Sequence, residues 1–229
     1  MKRESTLNSE GLIKISPSTI INHYYPFDGD IPEDILIRAG AVGNCIHEAI
    51  ENHLSQSENI NLDEIIKNKD NELIENNSLF LTDKNKYNIH LLWNNFKNNE
   101  HLLPKLNGSF WLEKYVDNLD KIHGYIDYVD DKVIIDWKTN SSMGKKEIEK
   151  YTLQMNLYRW MIYQTEFKLI DELKLVHITR QEPMTPTFKP RKPEQLLKVI
   201  DIELMDFDHL EKIINEVFEW KNKLGAKNE

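Results

Sequence analysis

The stretch from His123 to Asn140, HGYIDYVDDKVIIDWKTN, limits what this chain can fold into more than any other. Two runs rich in Val, Ile, Tyr and Trp, 124–129 and 133–139, flank Asp130-Asp131-Lys132, and the pattern predicts a β-hairpin. Asp127, Asp136 and Lys138 nevertheless sit inside the runs, where β-propensity disfavours at least the acids. A hairpin that breaks its own local rule repeatedly is where a site is expected.

Register carries the expectation further. With Asp130-Asp131 as a two-residue loop, Asp127 falls opposite Ile134 and shares a face with Ile134, Asp136 and Lys138. Asp127 and Asp136 are then diagonal neighbours, roughly 7–8 Å apart at the backbone, close enough to reach one cation. Any loop with an even residue count preserves this, and an odd count separates the acids. Two like charges side by side cost free energy unless something positive lies between them. A divalent ion meets that need, and Lys138 helps.

The chain as a whole sets bounds. At 229 residues, one α/β domain with a full core is expected. A formal net charge of −9 argues against a general nucleic-acid coat, whose affinity comes from neutralising phosphates. It does not exclude a nuclease, because a metal site requires acids. The single cysteine, Cys45, excludes an intrachain disulfide framework and any zinc or iron–sulfur site built from several cysteines of this chain. The N-terminus lacks an apolar signal core, and no apolar run approaches the roughly 20 residues that span a bilayer. The expectation is a soluble intracellular protein with no membrane partner.

Around the hairpin the chain punctuates clearly. Ser16-Pro17-Ser18-Thr19 has helix-start chemistry, predicting a short helix that carries Ile20, Ile21 and Tyr24 inward before Pro26; a loop over 27–33 follows. Residues 35–53 read as helical, with Ile46, Ala49, Ile50 and Leu54 on one face and Gly43 as either a close-packing point or a break. His47 and Glu51 share a side of this helix, as a solvated pair or with His47 as a metal ligand aimed at the hairpin. Residues 55–104 predict two amphipathic helices without a chemical motif, read as a helical insertion or lid; Trp93 and Phe96 there are core candidates.

Residues 109–116 alternate as a strand. With Val116 opposite Ile122, Glu113 falls opposite Tyr125 and onto the Asp127 face, although a Glu beside a Lys on an exposed strand is also a common accident. Residues 146–164 form a helix on which Gln154 and Tyr158 share a face toward Lys138, with a plain core role open for Tyr158. The strand at 172–180 should lie parallel to its partner across that helix, by the right-handed crossover. The Pro-rich segment 181–195 carries Lys189, Arg191 and Lys192, which could follow a phosphate backbone or form a solvated loop. An edge strand at 196–204 and an amphipathic helix from Asp206 complete the order. The fold class is α/β: a mixed central sheet, an antiparallel meander plus a βαβ crossover, flanked by helices.

GYID…IIDWKT resembles the paired motifs of the PD-(D/E)XK nuclease superfamily, and specifically its RecB-like exonuclease branch. GNCIH resembles that branch's helix motif, QMNLY its Q-x-x-x-Y motif, and ISPSTIINHYYP its N-terminal opening. The resemblance implies a restriction-endonuclease-like core with 55–104 as an insertion, and an enzyme that cuts DNA. Asp127, Asp136, His47 and the carbonyl of Trp137 would hold Mg²⁺ or Mn²⁺, with Lys138 catalytic, Glu113 an additional acid, and Gln154 and Tyr158 in support. It further implies exonuclease action, with single-stranded DNA favoured, in repair, recombination or replication. Tyr25 stands before Pro26 where cluster-bearing relatives carry cysteine, so no iron–sulfur cluster is expected. Competing readings are a catalytically silent nucleic-acid-binding module, a structure-specific endonuclease, and an enzyme of phosphorylated small molecules. The last lacks a Gly-rich phosphate loop.

Overall fold

The structure is a computed structural model that describes residues 7–26, 29–55, 60–106, 109–118 and 120–225. The polar start before Leu7, residues 27 and 28 of the expected loop, and the final residues 226–229 lie outside the described residues.

Ser16 starts α1 (Pro17–Tyr24) as its side chain and that of Thr19 bond each other's backbone N–H, with Pro17 in the first turn. Ile20 and Ile21 go inward, but Tyr24, expected inside, stays 38% exposed with its phenol turned to Glu216. The second helix, α2 (Glu33–Leu54), runs unbroken through Gly43, with Glu33 and Asp34 favourably placed in its first turn. Gly43 is a close-packing point rather than a break: a Cβ there would stand 3.4 Å from Thr139 Oγ1.

Two helices follow, α3 (Leu62–Asn77) and α4 (Asp83–Asn99), each started by a polar side chain, Asn61 and Thr82 respectively. They do more than cover an edge. Ile89, Leu92 and Phe96 of α4 are fully buried and pack with the inner face of α2, and the Phe96 ring meets Trp137 edge-on at 6.0 Å.

The sheet is ordered β1 (Phe110–Asn118), β2 (Ile122–Asp130), β3 (Val133–Lys138), β4 (Glu172–Ile178) and β5 (Leu197–Asp201). The first three strands form an antiparallel meander. Helix α5 (Lys145–Glu166) then crosses over so that β4 runs parallel to β3, with Lys138 beside His177. The short α6 (Pro193–Leu196) leads into β5, the antiparallel edge, and α7 (Phe207–Gly225) closes the chain. The mixed sheet and crossover expected from the sequence are present.

Helices cover both faces. Ile20 of α1, Leu157 and Met161 of α5, and Leu210 and Ile214 of α7 pack with Ile126, Val129 and Ile134 on one face. On the other, Cys45, Ile46 and Ile50 of α2 pack with Tyr128, Ile135 and Trp137. Tyr128 and Val129 thus face opposite ways, as neighbours on a strand must. Among the described residues no helix is long and apolar enough to cross a membrane.

Candidate active site

The acids lie where β2 and β3 part. These strands pair at Tyr128 with Ile135 and at Val129 with Ile134; continuing that register puts Asp127 opposite Asp136. The turn is therefore Asp131-Lys132, one residue later than the sequence reading placed it. The cause is Asp130, whose Oδ1 accepts the N–H groups of Lys132 and Val133 at 2.7 and 2.9 Å and closes the turn from the strand end. Loop length stays even, so Asp136 and Lys138 keep the face of Ile134, while Asp127 stands where the β2 alternation slips. At the far end of β2 the neighbour is the segment before α1, where Ile15 bridges to Ile122.

A fork leaves backbone groups without ladder partners, and Asp127 fills one such gap. Its Oδ2 accepts the Trp137 N–H at 2.8 Å. In an extended strand one residue's N–H and C=O point to the same edge, so the Trp137 carbonyl opens onto this fork as well. The other Asp127 oxygen lies 3.5 Å from His47 Nδ1, which α2 delivers from the side.

Glu113 has φ 44, a left-handed conformation unusual for a non-glycine residue. Val116 pairs with Gly124 rather than Ile122, so Glu113 stands opposite Asp127 and not Tyr125, though the two form no ladder pair. The shift is two residues and leaves side-chain parity alone; the kink then changes it. Lys114 Nζ sits 4.1 Å from the Trp111 ring, and Ile126 and Val129 share one core, pairs three residues apart that a regular strand would separate. Alternation slips by one as both strands pass Glu113 and Asp127. Three groups, His47, Glu113 and Asp127, each bring one ligand atom within 4.8 Å of the others.

Asp136 turns the other way. Its Oδ2 is 2.5 Å from Lys138 Nζ and, that ion pair apart, is buried without a hydrogen-bond partner. The Lys138 ammonium also lies 4.9 Å from the Tyr151 ring centroid. Gln154 Nε2 donates to Tyr158 Oη at 2.9 Å. Gly124 lets Tyr158 and α1 come close: a Cβ there would stand 3.1 Å from Pro17 Cδ and 3.5 Å from Tyr158 Cε1.

The charges shape one another. Burial pushes Asp136 up to about 6, with the Asp127 charge adding to this and Lys138 offsetting only part. For Asp127 burial alone would raise the pKa, but His47, Lys138 and the Trp137 N–H outweigh it and hold the carboxyl below its ordinary value. Burial alone would lower His47 and Lys138; Asp127 raises His47, and the two acids together keep Lys138 charged well above neutral pH. Tyr158 is raised, first by burial and then by Asp136. Two neighbouring carboxylates with opposite shifts mark a division of labour.

His47, Glu113, Asp127, Gln154 and Tyr158 line a cavity of about 690 Å³ together with Ser16 and Ser18 of the α1 start and Glu48, Glu51 and Lys69. Lys189, Arg191 and Lys192 are absent from that lining. Their segment is tied to α4 instead: Asn95 Nδ2 donates to the carbonyls of Thr179 and Gln181 at 2.9 Å, and Arg191 Nε donates to Glu182 O at 2.8 Å.

Some site neighbours escaped the sequence reading. Tyr151 precedes Gln154 and Tyr158 by three and seven residues, so helical spacing could have found it. His177 and Arg180 had no such signal. His177 Nε2 donates to Asn140 O at 2.8 Å and Arg180 Nε donates to Thr139 O at 3.1 Å, gripping the chain as it leaves Lys138. Burial holds His177 below its ordinary pKa, so it grips as the neutral ring.

The profile of the PD-(D/E)XK nuclease superfamily matches residues 22–227, and the chain belongs to that superfamily. Its members use divalent metal ions, and a donor set of carboxylates and imidazole with a buried, unsatisfied Asp136 oxygen fits such an ion. Among solved structures, a phage-related exonuclease from Haemophilus somnus 129PT is 14% identical, with a TM-score of 0.40 over 70% of this chain and 82% of that one. The protein SSO0001 is also 14% identical, with a TM-score of 0.34 over 90% and 84%. No curated protein matches the chain.

Proposed function

We propose that this nuclease hydrolyses phosphodiester bonds of DNA near strand ends, with single-stranded DNA favoured, in repair, recombination or replication. The carrying observation is the fork itself, where Asp136 pairs with Lys138 on β3 while Asp127 accepts the Trp137 N–H and meets His47 of α2. In this reading residues 1–229 act as one nuclease unit, with 55–104 as its helical insertion.

Phosphodiester hydrolysis needs a nucleophile near neutral pH and cover for charge growing on phosphate oxygens. Asp127, Asp136, His47 and the Trp137 carbonyl would hold Mg²⁺ or Mn²⁺, with Glu113 as a further acid beside His47 and Asp127. Bound there, the ion supplies Lewis acidity, easing deprotonation of water and offsetting phosphate charge. Oxygen-rich ligation suits Mg²⁺, and one imidazole suits Mn²⁺.

Lys138 stays protonated because two acids face it, so it acts as a fixed cation against the phosphate or orients the attacking water, not as a base. Asp136 and the Tyr151 ring hold that ammonium in place, and the Gln154–Tyr158 pair backs the cavity wall. The separate shifts of the two acids support a split of roles: Asp127 is ionised throughout the working range, while Asp136 gains a proton more easily when no metal is near.

The test is incubation of pure protein with end-labelled single- and double-stranded DNA, and RNA, in Mg²⁺, Mn²⁺ or EDTA. Metal-dependent shortening from the ends of single strands is expected. Binding without cleavage in either metal would replace this reading with the silent module, and internal cuts with the endonuclease.

A further inference from the structure

Two tyrosines continue the site outward along the ribbon. Tyr125 lies two residues before Asp127 on β2, about 7 Å along the strand, and lines the same cavity as His47, Glu113 and Asp127. Tyr115 is its register partner on β1, their ring centroids 5.0 Å apart with planes tilted by 48°. His123 follows, 6.1 Å from the Tyr115 ring. On the opposite side of β2, Ile122, Gly124 and Ile126 are buried, whereas Tyr125 and Tyr115 are 39% and 43% exposed.

The arrangement is anchored at its polar edge. Tyr115 Oη donates to Asp117 Oδ2 at 3.2 Å, and Lys14 Nζ holds that same oxygen at 2.7 Å. The cavity beside the row is lined by Glu48, Glu51, Glu113 and Asp127 against Lys69, and the chain carries a net charge of −9. Such a surface gains little from tracking phosphates. Stacking of neutral bases on aromatic rings is the other source of affinity for a single strand, and it tolerates any sequence because every base has a π-face.

Resting on the hydrolase reading above, we infer that Tyr125 and Tyr115, extended by His123, are a nucleobase-stacking platform. It holds the terminal bases of a single-stranded nucleic acid so that the adjoining phosphate reaches the fork. Tyr125 sits one strand repeat from Asp127, close to one step of an extended polynucleotide.

The experiment compares wild type, Tyr125→Ala, Tyr125→Leu, Tyr125→Phe and Tyr115→Ala. Substrates are single-stranded DNA and RNA oligonucleotides with intact or abasic terminal residues, and bis(p-nitrophenyl) phosphate, in Mg²⁺ and Mn²⁺. The Ala and Leu variants should raise KM for base-bearing strands about tenfold, the scale of one stacked base, with kcat retained. Abasic strands and bis(p-nitrophenyl) phosphate should be unaffected, and Tyr125→Phe should match wild type. Equal losses on all substrates would mean a structural role, and no loss on base-bearing strands would also overturn the platform. The DNA and RNA arms decide which sugar is taken.

Binding in EDTA, read by anisotropy with the same labelled strands, is independent of cleavage. If wild type cleaves nothing but binds base-bearing strands about tenfold tighter than Tyr125→Leu does, the hydrolase reading fails and the platform stands. Equal binding by the two overturns the platform.

Discussion

Helix α1 has a cavity at each end, and the two differ in kind. At its C-terminal end lies the larger, about 1170 Å³, lined by Tyr24, Tyr25, Ile148, Leu153, Met205 and Ile213 with charged residues around them. Those charges, Lys145, Glu149, Asp201, Glu203, Lys212 and Glu216, are all exposed. At the N-terminal end lies the fork cavity of about 690 Å³, beside which Asp136 is buried against a partly buried Lys138. A solvated charge costs almost nothing to keep. A buried carboxylate pushed up to about 6 is a standing cost that packing alone does not require. Size therefore points to one cavity, and buried charge to the other, on which the proposed function rests.

The sharpest test of that contrast is Lys138→Ala. Cleavage should fall by about a thousandfold or more, as when a preorganised charge-stabilising group is lost, while DNA binding persists; unchanged turnover would return attention to the larger cavity. Asp127→Asn and Asp136→Asn should each lower cleavage by a comparable factor. They should also remove the rise in Tm that Mg²⁺ or Mn²⁺ gives the wild type. If both variants bind metal as the wild type does, the site is elsewhere.

His177 offers a smaller effect. Replacing it with Leu frees Asn140 and should lower kcat up to about a hundredfold, the scale of a misplaced reacting group, at nearly constant KM. Gln, whose amide can donate where Nε2 does, should restore most of it. Loss of Tm in both variants with kcat unchanged would reduce the clamp to a packing feature.

Proton linkage gives a test without substrate. Asp136 has a folded pKa of about 6 against an ordinary 3.8, so between these values the folded chain binds the extra proton. Stability of the metal-free protein should therefore fall as pH rises through that window. Asp127, shifted down, acts with the opposite sign and below it. Melting curves in EDTA from pH 4 to 7 should show this fall in the wild type and not in Asp136→Asn. At the bottom of the scale, His209→Ala at the larger cavity should leave turnover within about twofold, as expected for a surface change.

Much of this was legible beforehand, for reasons that differ by residue. Strand and helix periods located β2, β3, α5 and α7, because one buried face imposes one period. The shared face of Asp136 and Lys138 survived an error in the turn because parity, not loop position, decides it, but Asp127 left that face at the slip in alternation. Glu113 was harder. Its pairing was misread by two residues, and the left-handed kink that sets it beside His47 and Asp127 has no glycine or asparagine to announce it. The basic segment was the opposite case: Lys189, Arg191 and Lys192 form a patch in sequence, but α4 ties their loop away from the cavity.

The residue pattern alone named the candidates for chemistry and, along regular strands and helices, the face each occupies, because faces there follow from periods of about two and 3.6 residues. Packing between distant segments set how far β2 and β3 stay paired, where the fork opens, and the kink that moves Asp127 and Glu113. It also decided that Asp127 meets His47 while Asp136 meets Lys138, and that His177 and Arg180 grip the chain beyond Lys138. Those outcomes depend on contacts between segments distant in sequence, and no local period records them.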